Sequence, residues 1–364
     1  MSNQKTIHYN LDKIDSIGAR INLIYGERSN GKSYQLKHKK AVEKYVKTGK
    51  RFILMRRLRE EISSEKIEQY FQDVDVSKIT NGKYNCITMY RKCLYFSIYD
   101  NETGKNKRYD KIGYVVALST EQNYAGASYL DVEDIIFEEF MSRSSYLYNE
   151  SNKLMNFYAT VDRKRLTTRL WLVGNTISRV CPYIHDWDLH KIISSQKQGT
   201  IEVKEIPDVI EGNPPIKIAI EYCKSTGKTS GTIGTNAQMI NTGSWETHPQ
   251  PHLPKSYTQY NVLFRIGFQY QSFKFLGEYL VDNKTKQDAV WFIRPYYKEF
   301  DDNIIVFSDI IKVSKYWQRD IYNISIKNDK LKDLLLTFKE NKIFYANDMC
   351  GTDFKQVIDF IIRR

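Results

Sequence analysis

Eight residues, Gly26-Glu27-Arg28-Ser29-Asn30-Gly31-Lys32-Ser33, restrict what this chain can fold into more than any other stretch. They satisfy G-x-x-x-x-G-K-[ST] at every required position, and the flanks agree: the apolar run Ile21 to Tyr25 reads as a strand, and Ser33 onward reads as a helix. Backbone N–H groups exposed by such a turn cradle phosphate oxygens at a helix N-terminus, where the helix dipole adds positive potential. Lys32 then reaches the β- and γ-phosphates and Ser33 binds Mg²⁺, so Gly26 to Ser33, with Tyr34 beside them, are the candidate nucleotide-binding residues. Gly227-Lys228-Thr229 repeats the end of the pattern but has Tyr222 where the first glycine should stand, and it is set aside.

A second signal is Asp134-Ile-Ile-Phe-Glu138-Glu139-Phe140, an apolar strand that ends in two carboxylates. Ligands of open α/β sheets lie at the carboxyl ends of strands. One acid there is needed for the hydrated Mg²⁺ and a neighbour can act as general base on the attacking water. Glu138 takes the first role and Glu139 the second. The adjacent pair is typical of ATPases that do mechanical work, and Asn-Lys-x-Asp, the guanine-reading motif, is absent from the sequence, so ATP is the expected nucleotide. The next strand, Thr168 to Val173, runs into Gly174-Asn175-Thr176, where Asn175 is either a γ-phosphate sensor or a strand-end turn residue. Arg163 belongs to a cluster of cations at a predicted helix end. From the residues alone, pairing with the helix C-terminal dipole accounts for it better than catalysis does.

Strand-like runs (Ile21 to Tyr25, Arg51 to Met55, Ile135 to Phe137, Leu170 to Val173) alternate with helix-like ones (Ser33 to Lys47, Ser151 to Arg163), which argues for a mainly parallel α/β sheet. Lys92 to Leu118 reads as a hairpin excursion about Asp100 to Gly104. None of the eight prolines precedes Pro182, and six fall between 205 and 255. The expected division is therefore an ATPase domain at 1–204, an irregular connector at 205–255, and a smaller α+β domain at 256–364, with paired strands in Val262 to Val281 and a helix in Leu331 to Glu340. The net charge of +12 suits a polyanionic partner such as nucleic acid, although the run Lys105, Lys107, Arg108 taken alone reads as a solvated face. Five scattered cysteines without Cys-x-x-Cys support neither a disulfide framework nor a zinc site. No membrane span and no apolar leader stand out, so the expected location is the cytoplasm.

The order of parts resembles the DNA-packaging ATPases (encapsidation proteins) of small podophages of the Picovirinae type. The residues that carry it are the Gly-x-Arg-x-x-Gly-Lys-Ser loop, Phe52-Ile-Leu-Met-Arg56-Arg57, Ile136-Phe-Glu-Glu-Phe140, Val161-Asp-Arg-Lys-Arg165 and Gly174-Asn-Thr-Ile-Ser178. The resemblance implies a P-loop NTPase sheet of the additional-strand (ASCE, RecA-like) kind with helices on both faces. It also implies a C-terminal domain related to RNase H-like nucleases. The implied activity is a ring motor, a homopentamer docked on the portal protein of a procapsid, that translocates double-stranded DNA with ATP and Mg²⁺ in the cytoplasm of an infected host and is not retained in the mature virion. A structural RNA is a further partner to test, and a helicase or another DNA pump is the alternative reading. By position, Lys32 and Ser33 become Walker A, Glu138 and Glu139 Walker B and catalytic glutamate, Asn175 the sensor and Arg163 a trans-acting finger. Two departures stand: the family's metal-binding acid is usually Asp where this chain has Glu138, and Tyr124 to Ser128 lacks a lysine. Because Glu278 is the one acid in Val262 to Val281, the C-terminal domain is expected to be a non-cleaving vestige that binds nucleic acid or portal.

Overall fold

The computed structural model describes residues 9–362 apart from 125, 143–145, 235–236, 271–272, 287–288, 309–316, 319–331, 333–335, 338–339 and 341. In chain order the strands of the first sheet are β1 (Ile21–Gly26), β2 (Arg51–Arg56), β3 (Cys86–Tyr90), β4 (Cys93–Asp100), β5 (Lys105–Ala117), β6 (Val132–Glu138), β7 (Arg169–Asn175), β8 (Thr200–Ile206) and β9 (Ile216–Tyr222). They pair in the order β3-β4-β5-β2-β6-β7-β1-β9-β8. From β5 across to β9 every neighbouring pair is parallel; β3 and β4 at one edge and β8 at the other turn antiparallel.

The sequence explains the layout. β1 is buried at all six positions and β6 at six of seven, as strands covered on both faces must be. Lys32–Gln35 and Lys44–Thr48 are α-helical, and Leu36–Glu43 between them takes wider π-type turns. Leu36, Ala41 and Val42 of this segment pack on Ile24, Leu54, Ile136 and Trp171. Helix Glu150–Asp162 covers the other face, where Phe157 meets the rings of Tyr124 and Tyr129. Asp134, wholly buried on β6, is satisfied by Trp171 Nε1 at 2.7 Å and Lys44 Nζ at 2.5 Å.

The chain separates into two units: Met1–Ile177 with Lys191–Ile233 and Ala237–Trp245, and Ser178–His190 with Gly234–Asn236 and Glu246–Arg364. This corrects the expected connector at 205–255. Its residues Ile216–Tyr222 form β9, paired in parallel with β1, and Ala237–Thr242 is a helix of the first unit. The proline count misled because Pro214 and Pro215 stand just before a buried strand and not within it.

In the second unit the strands are β10 (Tyr260–Tyr270), β11 (Phe273–Asp282), β12 (Val290–Pro295), β13 (Ile305–Ser308), β14 (Trp317–Gln318) and β15 (Ile343–Tyr345), in the order β14-β13-β10-β11-β12-β15. β10, β11 and β12 are successive antiparallel neighbours, and β13 and β14 run parallel to β10 on its far side, the arrangement of an RNase H-like sheet. Helix Asp348–Ile362 closes the core through Phe354 against Phe268 and Phe275. The helix expected over 331–340 falls largely outside the described residues.

Candidate functional site

Gly26 leaves β1 with its α-carbon so close to Cys223 that a β-carbon would stand 3.0 Å from the Cys223 side chain. Gly31, at φ 98°, turns the loop into the helix with a left-handed residue that favours glycine. Between them the loop wraps a buried Lys32, whose Nζ donates to the Glu27 carbonyl at 2.5 Å and to Asn30 Oδ1 at 3.1 Å. Burial lowers the Lys32 pKa, against the opposing fields of Cys223, Glu138 and Glu27. An ammonium enclosed by the carbonyl side of such a loop is poised for an anion that restores its lost solvation.

The acidic end of β6 arrives from the opposite side. Glu138, buried, accepts Ser33 Oγ at 2.8 Å on Oε2 and Tyr70 Oη at 2.6 Å on Oε1. Burial raises its pKa, and the hydrogen bonds from Tyr70 and Ser33 and the charge of Arg56 only partly offset this. Glu139 is left-handed, at φ 58°, which swings its carboxylate out of the sheet. Its side chain is 63% exposed and takes a hydrogen bond from Arg56 Nη2 at 3.0 Å. The turn itself is clamped by Arg57, which donates to the carbonyls of Glu139 and Phe140 at 3.1 and 2.7 Å and is held by the buried Glu150. Asn175, last residue of β7, lies in register with Gly26.

These groups share one cleft of about 420 Å³, lined by Arg28 through Tyr34, Glu138, Glu139 and Asn175 and closed by Lys37 and Asp73. Three candidates fall outside it. Gly26 serves the packing under the loop, and the Glu27 carboxylate points away, accepting Ser225 Oγ at 2.6 Å and the Thr226 amide at 2.7 Å. The rejected Gly227-Lys228-Thr229 thus follows directly on the residues that hold the true loop. Arg163 also lies elsewhere: it caps helix Glu150–Asp162 in a left-handed conformation and donates to the Gly126 and Ala127 carbonyls, at the amino end of β7. Sequence reasoning gave no role to Arg56, Arg57 or Tyr70. Their partners lie 68 to 93 residues away, and no local pattern marks such pairs.

In the second unit Glu278 is fully buried and committed: Arg265 Nε and Arg294 Nε donate to it at 2.9 and 3.1 Å and Tyr257 Oη at 2.9 Å. Burial would raise its pKa, yet these partners hold the carboxyl below its ordinary range. Among the described residues no three His, Cys, Asp or Glu side chains gather as a metal cluster, and no helix is long and apolar enough to cross a membrane.

β7 stands between the phosphate-loop strand β1 and the acidic strand β6, so fold and site together define a P-loop nucleotide-binding protein of the additional-strand class. The profile of the Podovirus DNA encapsidation protein (Gp16) family matches residues 3–213, more than half of the chain, and the chain belongs to that family. It is 30% identical over 219 residues to the DNA packaging protein of Bacillus phage phi29, a match covering 57% of this chain and 58% of that protein. With the DNA packaging protein of Bacillus phage B103 it shares 30% identity over 195 residues, 52% of this chain and 55% of the relative. The matched region therefore spans little more than half the length of these relatives. A chain of the bacteriophage phi29 viral genome packaging motor assembly has the same fold, with a TM-score of 0.60 at 20% identity, covering 97% of this chain and 99% of that one.

Proposed function

We propose that this chain is the ATP-hydrolysing subunit of a viral DNA-packaging motor, which assembles as a ring, a homopentamer, on the portal of a procapsid in the infected cell and drives double-stranded DNA inward. The observation that carries the reading is the convergence of Lys32, Ser33, Glu138, Glu139 and Asn175 in one cleft at the carboxyl ends of parallel strands. Family membership supports DNA as the substrate. Loop amides and Lys32 hold the β- and γ-phosphates. Ser33 Oγ and Glu138 Oε2, 2.8 Å apart at the helix start, are two hard oxygen donors that fit Mg²⁺. When bound there, the ion neutralises charge on the phosphate oxygens.

The two glutamates divide their work by environment. Glu138 is enclosed and bound on both oxygens, which suits a fixed ligand. Glu139 is exposed with Arg56 orienting it, which suits a base that takes the proton of the attacking water. Asn175 would orient that water or the γ-phosphate from β7.

The test is ATP hydrolysis by the purified protein with and without double-stranded DNA at low salt, beside Glu139→Gln. The variant is expected to keep ATP binding and lose turnover by about 10²-fold or more, the usual scale of a general base. Turnover equal to the parent would remove Glu139 from the mechanism.

A further inference from the structure

Outside the nucleotide cleft, one surface gathers aromatic rings and cations without carboxylates. In the β3-β4-β5 edge of the first sheet, Thr88 stands opposite Tyr95, Tyr95 opposite Lys111, and Ser97 opposite Arg108, which puts these side chains on one face. Arg108 reaches across β4 to lie 4.4 Å from the centre of the Tyr90 ring, and Arg91 lies 5.2 Å from the same ring. Lys111 sits 4.7 Å from the Tyr114 ring. Thr88 and Ser97, bonded to each other at 2.6 Å, are buried beneath this layer. Among the described residues no carboxylate pairs with Arg91, Arg108 or Lys111, whereas Asp110 is engaged by Tyr84 and Lys83.

The turn that joins β3 to β4 adds an independent observation. Its two central residues, Arg91 and Lys92, both have positive φ, 48° and 60°. Such a turn ordinarily takes Asn-Gly or Gly-Gly, and a long side chain there carries a steric cost. The chain accepts that cost to hold Arg91 beside Tyr90, while Lys92 turns to the Tyr124 ring, 5.7 Å from its centre, and strained residues of this kind cluster at functional sites.

We propose that this face binds single-stranded DNA, with unpaired bases stacking on Tyr90 and Tyr95 and phosphates taken by Arg91, Arg108 and Lys111. Rings set among cations are what single strands use, since every unpaired base offers a flat face that a duplex keeps inside its stack. Phosphate contact alone would need no exposed tyrosine: Tyr90 is 43% exposed. DNA is favoured over RNA as the source because the chain belongs to a DNA encapsidation family. Lys111 lies at the amino end of β2, where its carbonyl accepts Arg51 Nε at 2.8 Å, and Arg56 is at the other end of that strand, so an occupant of the face stands apart from the hydrolytic cleft. The choice of DNA rests on the packaging reading; the stacking chemistry does not.

The experiment is fluorescence anisotropy of the full-length protein without nucleotide, titrated into labelled dT20, its duplex with dA20, and rU20. Tyr90→Ala and Tyr95→Ala are each expected to weaken dT20 binding on the order of tenfold, while Tyr→Phe at the same positions keeps it. Lys111→Gln is expected to flatten the salt dependence by about one phosphate contact. Unchanged circular dichroism and unchanged ATP binding certify that the alanine variants fold. Binding of dT20 that survives both alanine substitutions overturns the proposal, as does duplex binding that falls in parallel. Tighter binding of rU20, lost in the same variants, overturns the assignment to DNA. Loss of dT20 binding alone supports it, and hydrolysis by Glu139→Gln is read separately, so failure of the motor reading shows as a different result.

Discussion

A single residue under the phosphate loop exposes what the site costs the fold. Glu221, on β9, is buried and accepts the Tyr9 hydroxyl at 2.8 Å, while the Tyr9 amide donates to the loop carbonyl of Asn30 at 3.1 Å. Burial pushes the Glu221 carboxyl from 4.5 to about 6, the Tyr9 hydrogen bond pulling the other way. Between those values the folded chain holds a proton that the unfolded chain has released. The contribution of Glu221 is therefore fully present below pH 4.5 and is lost as the pH rises through about 6. Glu221→Gln is expected to be more stable than the parent by about 2 kcal/mol near neutral pH and no more stable near pH 4. Denaturant titrations at both pH values check this; an equal difference at each would assign the effect to packing. The buried Glu138 carries the same kind of cost, and there the loss has a use, because a carboxylate kept dry and fixed by Ser33 and Tyr70 is ready for a cation.

At the scale of elements, the loop is braced from outside as much as from within. Helix Ala237–Thr242 ends at Gly243, left-handed at φ 68°, and a β-carbon there would stand 2.6 Å from the Glu27 amide. The Gly243 carbonyl accepts both Thr176 Oγ1 at 2.9 Å and Tyr222 Oη at 2.8 Å, so the same turn touches the phosphate loop, the end of β7 and β9. Gly243→Ala combines backbone strain with a clash, and it is expected to weaken ATP binding on the order of tenfold while every residue lining the cleft is retained. Isothermal titration with ATP would show it; parent-like affinity would mean that the turn and loop yield independently. None of this bracing is legible in the sequence. The strands β1, β2, β6 and β7 are, because fully buried parallel strands write continuous apolar runs, and so are the loop and the two acids, whose spacing is local. β9 escaped because its partner lies some two hundred residues earlier and its proline-rich flank reads as linker. Arg56 and Tyr70 escaped because a side chain that reaches across strands leaves no periodic trace.

At the scale of the whole molecule the question is what a single chain lacks. Asn175 and Arg163 mark opposite ends of β7: Arg163 is bound to the Gly126 and Ala127 carbonyls before the strand begins, and Asn175 lies in the cleft where it ends. Seven residues of parallel strand separate those ends by about 20 Å, roughly three times the reach of an arginine side chain. The neighbouring Arg165 is spent on fold, donating to the carbonyls of Leu130, Val132 and Val161. Arg163 therefore cannot serve its own nucleotide, and any catalytic role for it requires a second copy of the chain to present its amino-end surface to this cleft. A ring in which each subunit completes the next meets that requirement. Arg163→Ala and Lys32→Ala are each expected to be inactive when pure, since one lacks the donated finger and the other cannot hold phosphate. Mixed under assembly conditions, they should regain turnover at every junction where an intact Arg163 from the Lys32 variant meets an intact Lys32 from the Arg163 variant. A finger supplied in this way is worth about 10³- to 10⁵-fold in rate, so even a minority of competent junctions is measurable. Mixtures that remain as inactive as their components would assign Arg163 to capping its own helix.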